Sequence, residues 1–255
     1  KQVIEEVISQ ETGRVFELTS GPLIRLTLIE DRSGDGYIFC LVMHHIISDG
    51  WSMDVLQKEL FTLYNHFKSG SPAVLPPLGL QYKDYAFWER SELEIRSSLS
   101  KDYWRAQFSG ELPVLALPSK GVRPSIKTYN SSHVSGFVSV DTLSLLKAVS
   151  LTNGSTLFMT VLSAVKVLLY RYSGQEDLII GTPVAGREHG DLQDQIGFYV
   201  NTLALRSSID GEDRFMDFLS SVRETTLLGY SHQSYPFDRL VEDLDIVRDL
   251  SRHPV

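Results

Sequence analysis

The segment Met43–Ser52, MHHIISDGWS, contains the residues of this chain that are best suited to chemistry. It places two adjacent histidines, His44 and His45, and an acid, Asp49, after the apolar run Tyr37–Val42. Such a run predicts a buried strand that delivers the histidines to a short loop at a sheet edge. Histidine accepts protons near neutral pH because its unperturbed pKa is about 6.5. The first hypothesis for this segment is therefore a general base.

Two other interpretations of these histidines stay open from the residues alone. Metal ligation is disfavoured because neighbouring residues on a strand point to opposite faces. The chain also has no HExxH, CxxC or similarly spaced ligand set, so we expect no metal site. The second interpretation is that both are ordinary core or surface histidines, which is the usual case for an isolated histidine.

Composition narrows the class of protein without naming a function. A chain of 255 residues that is 42% hydrophobic and 22% charged is typical of a soluble globular protein. The net charge of -8, without a cluster of Lys or Arg, argues against a nucleic-acid partner. The apolar stretches are too short to span a bilayer, and Cys40 is predicted to be a buried residue in a reducing compartment. We therefore expect a cytoplasmic location and no membrane partner.

Apolar patterns predict alternating helices and strands without an internal repeat. The predicted strands are Leu23–Ile29, Tyr37–Val42, Val134–Val140, Leu178–Gly181 and Phe198–Arg206. Ser52 is the candidate N-cap of a helix that Gly70 ends. Ser155 is the candidate N-cap of a second long helix. The buried stripe predicted for that helix is Leu157, Val161, Val165, Leu168 and Leu169.

A stretch rich in proline and glycine, Leu112–Pro124, is the best candidate for a boundary between two lobes. This boundary assigns residues 1–115, with the histidine motif, to a part of the first lobe and residues 116–255 to most of the second. The whole pattern predicts an α+β protein in which helices pack on mixed sheets.

Five separated segments carry a family resemblance. They are MHHIISDGWS at Met43, YKDYAFW at Tyr82, IGFYVNTLALR at Ile196, HQSYPFD at His232 and RDLSRHPV at Arg248. With these segments in this order, the chain resembles the condensation domain of nonribosomal peptide synthetases, in the chloramphenicol acetyltransferase-like superfamily. The resemblance runs from about Phe16 to the last residue.

The resemblance implies a V-shaped pseudo-dimer of two lobes, with the histidine motif at the floor of a tunnel between them. Donor and acceptor peptidyl carrier proteins would bring aminoacyl or peptidyl thioesters on phosphopantetheine arms. An adenylation domain of the same synthetase would lie next to the condensation domain. The implied reaction is acyl transfer that forms a peptide bond. No cofactor bound by the chain itself is implied.

The same resemblance assigns roles to residues of the motifs. His45 matches the catalytic position, and His44 packs or hydrogen-bonds within the floor. Asp49 resembles a structural acid that pairs with an arginine, although a capping Asx turn is an equally good interpretation. Gly50 allows close backbone approach or a positive φ, and a nearby backbone N–H could face the developing oxyanion. The residues implied as tunnel-lining or structural are Trp51, most simply a core residue, Ser52, Asn201 and Thr202.

We expect the chain to be a fragment of a larger synthetase. It lacks two early family motifs that should precede Lys1, and it stops at the last motif. The missing part is one place for the arginine that would pair with Asp49, so the assignment of this arginine within the chain stays open. A lobe with cut sheets exposes unpaired edges, so we expect this exact chain to be poorly soluble or inactive alone. Arg248 and Arg252 are candidates for ionic contacts.

Three alternative functions stay open. An epimerization domain shares the histidine motif and would use it to move an α-proton. A related free-standing acyltransferase carries HHxxxDG, but would not be expected to carry YKDYAFW and HQSYPFD. From a different class of function, the chain could be a noncatalytic carrier-docking module.

Overall fold

A computed structural model describes residues 2–31, 36–70, 72, 74–118, 121, 124–128, 130–246 and 249–253. The chain divides into two compact units. Unit 1 comprises Lys1–Glu89 and Ala185–Val200, and unit 2 comprises Arg90–Val184 and Asn201–Val255. These units are groups of residues in contact, and the assignment of residues 1–115 and 116–255 to two lobes stays a prediction.

Unit 1 is built on an antiparallel hairpin. Helix α1, Gln2–Gly13, precedes strand β1, Ile24–Asp31, which pairs with strand β2, Gly36–Met43. A 3-10 turn, His45–Ile47, then leads into helix α2, Gly50–Ser69. The predictions of a strand at Leu23–Ile29 and of Gly70 as the helix stop are confirmed, since Gly70 is the left-handed C-cap of α2. Residues 32–35, which connect the two strands, lie outside the described residues.

Strand β2 is not buried as its apolar run predicted. Its residues Tyr37 and Phe39 are 69% and 47% exposed, and Cys40 is half-buried. Leu26 and Leu28 of β1 share the same face of the hairpin and are also exposed. A two-stranded ribbon buries only the face that other elements cover, and an apolar sequence does not state which face that is.

Unit 2 contains most of the helices around a second hairpin. Helix α3, Tyr82–Gln107, begins in unit 1 and continues into unit 2. The remaining elements are helix α4, Val140–Thr152, helix α5, Leu157–Ser173, strands β3, Asp177–Val184, and β4, Asn201–Ser208, and helices α6, Phe215–Ser231, and α7, Phe237–Asp243. Strands β3 and β4 pair antiparallel, and the segment that connects them, Ala185–Val200, belongs to unit 1.

Helix α5 buries a face that overlaps the predicted stripe only in part, since Leu169 packs against the core of unit 2. Val161, Val165 and Leu168 are 44%, 40% and 54% exposed. The buried face consists of Met159, Thr160, Leu162, Ser163 and Lys166. The polar members are satisfied by hydrogen bonds, including Thr160 with Ser150 and Ser163 with the Met159 carbonyl, so a polar face can enter the core.

Two further local predictions for unit 2 are wrong. Thr156, rather than Ser155, caps α5, because its hydroxyl accepts the Met159 N–H. Residues 134–139 form no regular strand, and Ser139 instead caps α4. The alternation of apolar residues there lacks a neighbouring strand among the described residues with which to form a ladder.

The core of unit 2 joins α3, α5, α6 and the β3–β4 hairpin. Its fully buried members include Trp104, Leu162, Leu203, Leu205, Phe218 and Val222. The mixture of helices and small sheets confirms the predicted α+β class. Among the described residues no single helix has the length and apolar composition to cross a membrane, and only the bent pair α4–α5 meets those criteria jointly.

Candidate active site

His44 stabilises the turn that follows β2. Its backbone N–H donates to the Leu23 carbonyl at 2.9 Å, and its Nδ1 accepts the Ile46 N–H at 3.0 Å. Its ring meets Phe16 edge-on at 5.9 Å. The Nδ1 atom of His44 is therefore already engaged in a hydrogen bond that stabilises the 3-10 turn.

His45, by contrast, is exposed and opens the 3-10 turn. Its ring meets Phe198 edge-on, with centroids 5.5 Å apart. Within the described part of the chain no hydrogen bond holds its imidazole, so neither ring nitrogen is engaged by another described residue. Of the two histidines, His45 is the one placed to exchange a proton.

Asp49, rather than Ser52, is the N-cap of α2. Its Oδ1 accepts the Ser52 N–H at 2.8 Å, and its Oδ2 accepts the Tyr199 N–H at 3.1 Å. Ser52 lies inside the first turn, and its buried hydroxyl is 2.6 Å from Asp49 Oδ1. The helix begins at Gly50 because the aspartate satisfies the free N–H groups of its first turn.

Arg187 is the arginine partner of Asp49, and it lies within this chain. Its Nη2 is 3.1 Å from Asp49 Oδ1, and the two side chains are 1% and 0% exposed. It also donates to the Leu192 and Gln195 carbonyls, and its guanidinium lies 4.0 Å over the Tyr199 ring. The location of this arginine, which the sequence left open, is therefore within the chain, and Asp49 both caps the helix and forms the ion pair.

Sequence reasoning missed Arg187, although a local signal precedes it. Gly186 has φ +64°, and a Cβ there would lie 1.9 Å from the Tyr199 carbonyl oxygen. A glycine two residues after a strand can mark a close backbone approach, but it does not identify the residue that is approached. The 138-residue separation between Asp49 and Arg187 is beyond the reach of any local pattern.

The charge of Asp49 is stabilised despite its burial. Burial by itself would raise the pKa of this carboxyl, but hydrogen bonds from Ser52 and Tyr199 and the positive charge of Arg187 together hold the pKa below its usual value. Asp49 is therefore a carboxylate at neutral pH. Its oxygens are occupied by these partners, which fits a structural acid.

The segment Ile196–Val200 is tied to α2 and α3 by short polar contacts. The Ser52 hydroxyl lies 2.8 Å from the Gly197 carbonyl oxygen and accepts the Gly197 N–H at 3.1 Å. The Tyr82 hydroxyl donates to the Phe198 carbonyl at 2.9 Å. A Cβ at Gly197 would lie 2.3 Å from the Tyr82 ring, so only glycine fits this approach. The loop that carries His45 is thus fixed against a distant part of the sequence.

A small aromatic core supports the same segment. Tyr85 and Tyr199 are buried, with ring centroids 4.6 Å apart, and Leu192 completes the cluster. Burial raises the pKa of Tyr199 to about 12, so its phenol is neutral and serves as a hydrogen-bond donor to Gln195. The segment that contacts the histidine loop therefore rests on its own packed base.

Trp51 and Gly50 differ in part from their predicted surroundings. Trp51 is 43% exposed rather than a core residue, and its Nε1 donates to the Gln193 carbonyl at 2.8 Å. Gly50 is exposed, and nothing lies within 4 Å of the position that a Cβ would take. Both residues border open space at the start of α2.

Asn201 and Thr202 belong to unit 2 and start β4. The Asn201 amide donates to the Gln233 and Tyr235 carbonyls, both at 2.8 Å, and its oxygen accepts from Thr202 and Phe237. This side chain therefore ties β4 to the HQSYPFD segment, and a tunnel-lining role for either residue stays a prediction.

The last motif contains the two arginines for which ionic contacts are expected. Arg248 lies outside the described residues, and Arg252 pairs with nearby Asp249 at 2.5 Å. In the described ranges, no group of three or more His, Cys, Asp or Glu residues is arranged to hold a metal ion.

The candidate site is an exposed histidine on a turn that an aspartate–arginine pair holds in place. An acyltransferase can use such a site. The family model of the condensation domain matches residues 1–255. The chain belongs to the condensation domain family.

A curated relative and two solved structures illustrate the similarity. Bacitracin synthase 3 of Bacillus licheniformis is 42% identical over 243 residues, which is 94% of this chain and 4% of that protein. A complex of the X-domain and OxyB from teicoplanin biosynthesis has TM-score 0.88 and 26% identity, covering 98% of this chain and 57% of that one. The four-domain nonribosomal peptide synthetase AB3403, solved with AMP and glycine, has TM-score 0.86 and 29% identity. The match covers 99% of this chain and 19% of that one.

Solved condensation domains, among them the first one of the calcium-dependent antibiotic synthetase, also match this chain, with TM-score 0.74. They place it in the chloramphenicol acetyltransferase-like fold, which confirms the expected fold family. The chain spans 3–5% of the length of the linear gramicidin and bacitracin synthases that it matches.

Proposed function

We propose that this chain forms peptide bonds in nonribosomal peptide synthesis, by aminolysis of a thioester. The donor acyl group and the acceptor amine would each be carried on the phosphopantetheine arm of a peptidyl carrier protein. The observation that carries this proposal is the exposed imidazole of His45 on a turn fixed by Asp49 and Arg187. Membership of the condensation domain family supports the same reaction.

In the proposed step, His45 accepts the proton that the acceptor nitrogen sheds as it attacks the thioester carbonyl. The new C–N bond forms, the C–S bond breaks, and the departing thiolate takes up a proton, so that amide and free thiol are the products. A free α-amino group has a pKa of about 7.7 to 8.0, so a base is useful near neutral pH. Positioned proton transfer supplies about a hundred- to ten-thousand-fold in rate.

The remaining site residues would position the reacting groups and would not take part in proton transfer. Asp49 is occupied by Ser52, Tyr199 and Arg187, so it holds the loop and does not contact substrate. The exposed backbone at Gly50, at the start of α2, is a suitable place for an N–H that faces the oxyanion. Alignment of two tethered substrates can lower the barrier by about 7 to 11 kcal/mol, so positioning contributes more than the base.

The proposal includes the surroundings of the reaction. Residues 1–115 and 116–255 would belong to two lobes of a larger catalytic domain, next to an adenylation domain of the same synthetase. The similarity to AB3403, a nonribosomal peptide synthetase of four domains, supports such a context. The reaction would take place in the cytoplasm, with no cofactor held by the chain itself.

The test is product analysis with the natural polypeptide that contains residues 1–255, mixed with a loaded donor and a loaded acceptor carrier. Mass spectrometry should detect the dipeptidyl thioester on the acceptor. His45→Ala should lower its formation by about a hundred- to ten-thousand-fold, whereas His133→Ala, at an exposed histidine of unit 2, should leave it unchanged. An α-epimerised product without amide would instead identify an epimerization domain.

A noncatalytic docking module is the second candidate, because the X-domain structure that matches this chain was solved as a complex with another protein, OxyB. Carrier binding without any amide product, unaffected by His45→Ala, would favour this candidate over the proposed reaction.

A further inference from the structure

Phe198 is a neighbour of the candidate base to which the motifs assign no role. Its ring meets the His45 imidazole with centroids 5.5 Å apart and ring planes at 73°. This edge-to-face arrangement is one that aromatic rings prefer. Phe198 is 39% exposed, so its ring is not simply a core residue. It covers one side of an imidazole that is otherwise open.

The backbone that carries Phe198 is held at three consecutive residues. The Gly197 N–H donates to the Ser52 hydroxyl, the Phe198 carbonyl accepts from Tyr82, and the Tyr199 N–H donates to Asp49. These bonds measure 3.1, 2.9 and 3.1 Å. The backbone on which the Phe198 ring contacts His45 is therefore held in place by hydrogen bonds.

His45 lacks the partner that ordinarily orients a histidine base. Such a base is usually held by a hydrogen bond from its second ring nitrogen to a carboxylate or carbonyl. In the described ranges no residue makes that bond to His45. The nearest acid in sequence, Asp49, already accepts from Ser52, Tyr199 and Arg187. The contact that the structure does show at this imidazole is the edge-to-face pair with Phe198.

We propose that Phe198 is a positioning residue that holds the His45 imidazole in its reactive orientation, in place of a hydrogen-bonded carboxylate. The inference rests on the proposed role of His45 as the base. An edge-to-face ring pair changes a conformational population by about two- to tenfold at 25 °C. Loss of the ring should lower kcat by about that factor and leave the KM for the acceptor carrier unchanged.

A double-mutant cycle in the natural polypeptide tests this inference. Phe198→Ala should lower kcat by about two- to tenfold in the wild-type background, but by nothing in a His45→Ala background, because the effect passes through the imidazole. Phe198→Tyr, which keeps the ring, should restore kcat. The matched control is Phe67→Ala, at a phenylalanine of unit 1 that is 76% exposed and lies on α2.

A second measurement needs no turnover. Carbethoxylation of His45 by diethylpyrocarbonate, measured by mass spectrometry against exposed His133, should become faster when Phe198 is replaced by Ala or by the milder Leu. An unchanged modification rate with both variants would overturn the inference. An equal loss of kcat in both backgrounds would overturn it as well. Full activity of His45→Ala would instead refute the proposed function, so the two failures are distinguishable.

Discussion

The variant Arg187→Met probes the buried ion pair that anchors the histidine loop. It removes the guanidinium and keeps an apolar stem, so Asp49 is left as a buried carboxylate without its counter-charge. The Leu192 and Gln195 carbonyls lose their donor at the same time. Removing one partner of a buried pair costs about 3 to 5 kcal/mol, which exceeds the ~1 kcal/mol typical of an exposed pair.

The two backbone N–H groups that donate to Asp49 report the loss of the ion pair directly. Hydrogen exchange at the Ser52 and Tyr199 N–H groups should accelerate by about a hundred- to a thousandfold or more in Arg187→Met, because local opening becomes easier by about that free energy. Arg252→Met, at the half-exposed pair with Asp249, is the control and should leave these amides unchanged. The double variant Asp49→Asn/Arg187→Met should lose less than the two single effects combined.

Unchanged exchange at both amides in Arg187→Met would refute the view that this pair fixes the loop. So would an equal acceleration in the Arg252→Met control, since that variant leaves the buried pair intact. In the predicted case amide-forming activity falls as well, because the turn that bears His45 is no longer held in place.

Two further predictions concern a glycine and a buried lysine. Gly197→Ala should abolish the contact with Tyr82, because its Cβ would lie 2.3 Å from that ring, and limited proteolysis between residues 185 and 200 should become faster, whereas Gly190→Ala has open space and should not change it. Lys166 is buried in unit 2 and donates to the Leu205 carbonyl and to Ser207, and burial lowers its pKa to about 8. Because the unfolded lysine keeps its proton up to about pH 10.4, its contribution to stability should rise between about pH 8 and 10.4, by about 3 kcal/mol. The difference in unfolding free energy between wild type and Lys166→Met should show that slope, and a difference independent of pH would contradict it.

Local patterns were enough to predict the elements next to the candidate site. The alternation before the histidines predicted β1, the glycine at position 70 predicted the end of α2, and the histidine motif gave the candidate base. These features depend on residues that are close in sequence. The spacing of apolar residues or the presence of a capping residue can therefore be interpreted without knowing the rest of the fold.

Burial and long-range pairing could not be predicted in the same way. The apolar residues of α5 and β2 are partly exposed because the covered face depends on which elements pack there. Asp49 and Ser52 are both good capping residues, and the choice between them follows from Arg187 and Tyr199, which come from a segment far along the chain. No local rule specifies such a partner.

The most direct measurement of the proposed chemistry is a single-turnover assay with His45→Ala. Donor and acceptor carriers would be saturating, and the rate of amide formation would be compared with that of wild type after confirming that carrier affinity is unchanged. We predict a rate that is lower by about a hundred- to ten-thousand-fold, with some residual activity from substrate alignment. A rate equal to that of wild type would contradict the assignment of His45 as the base.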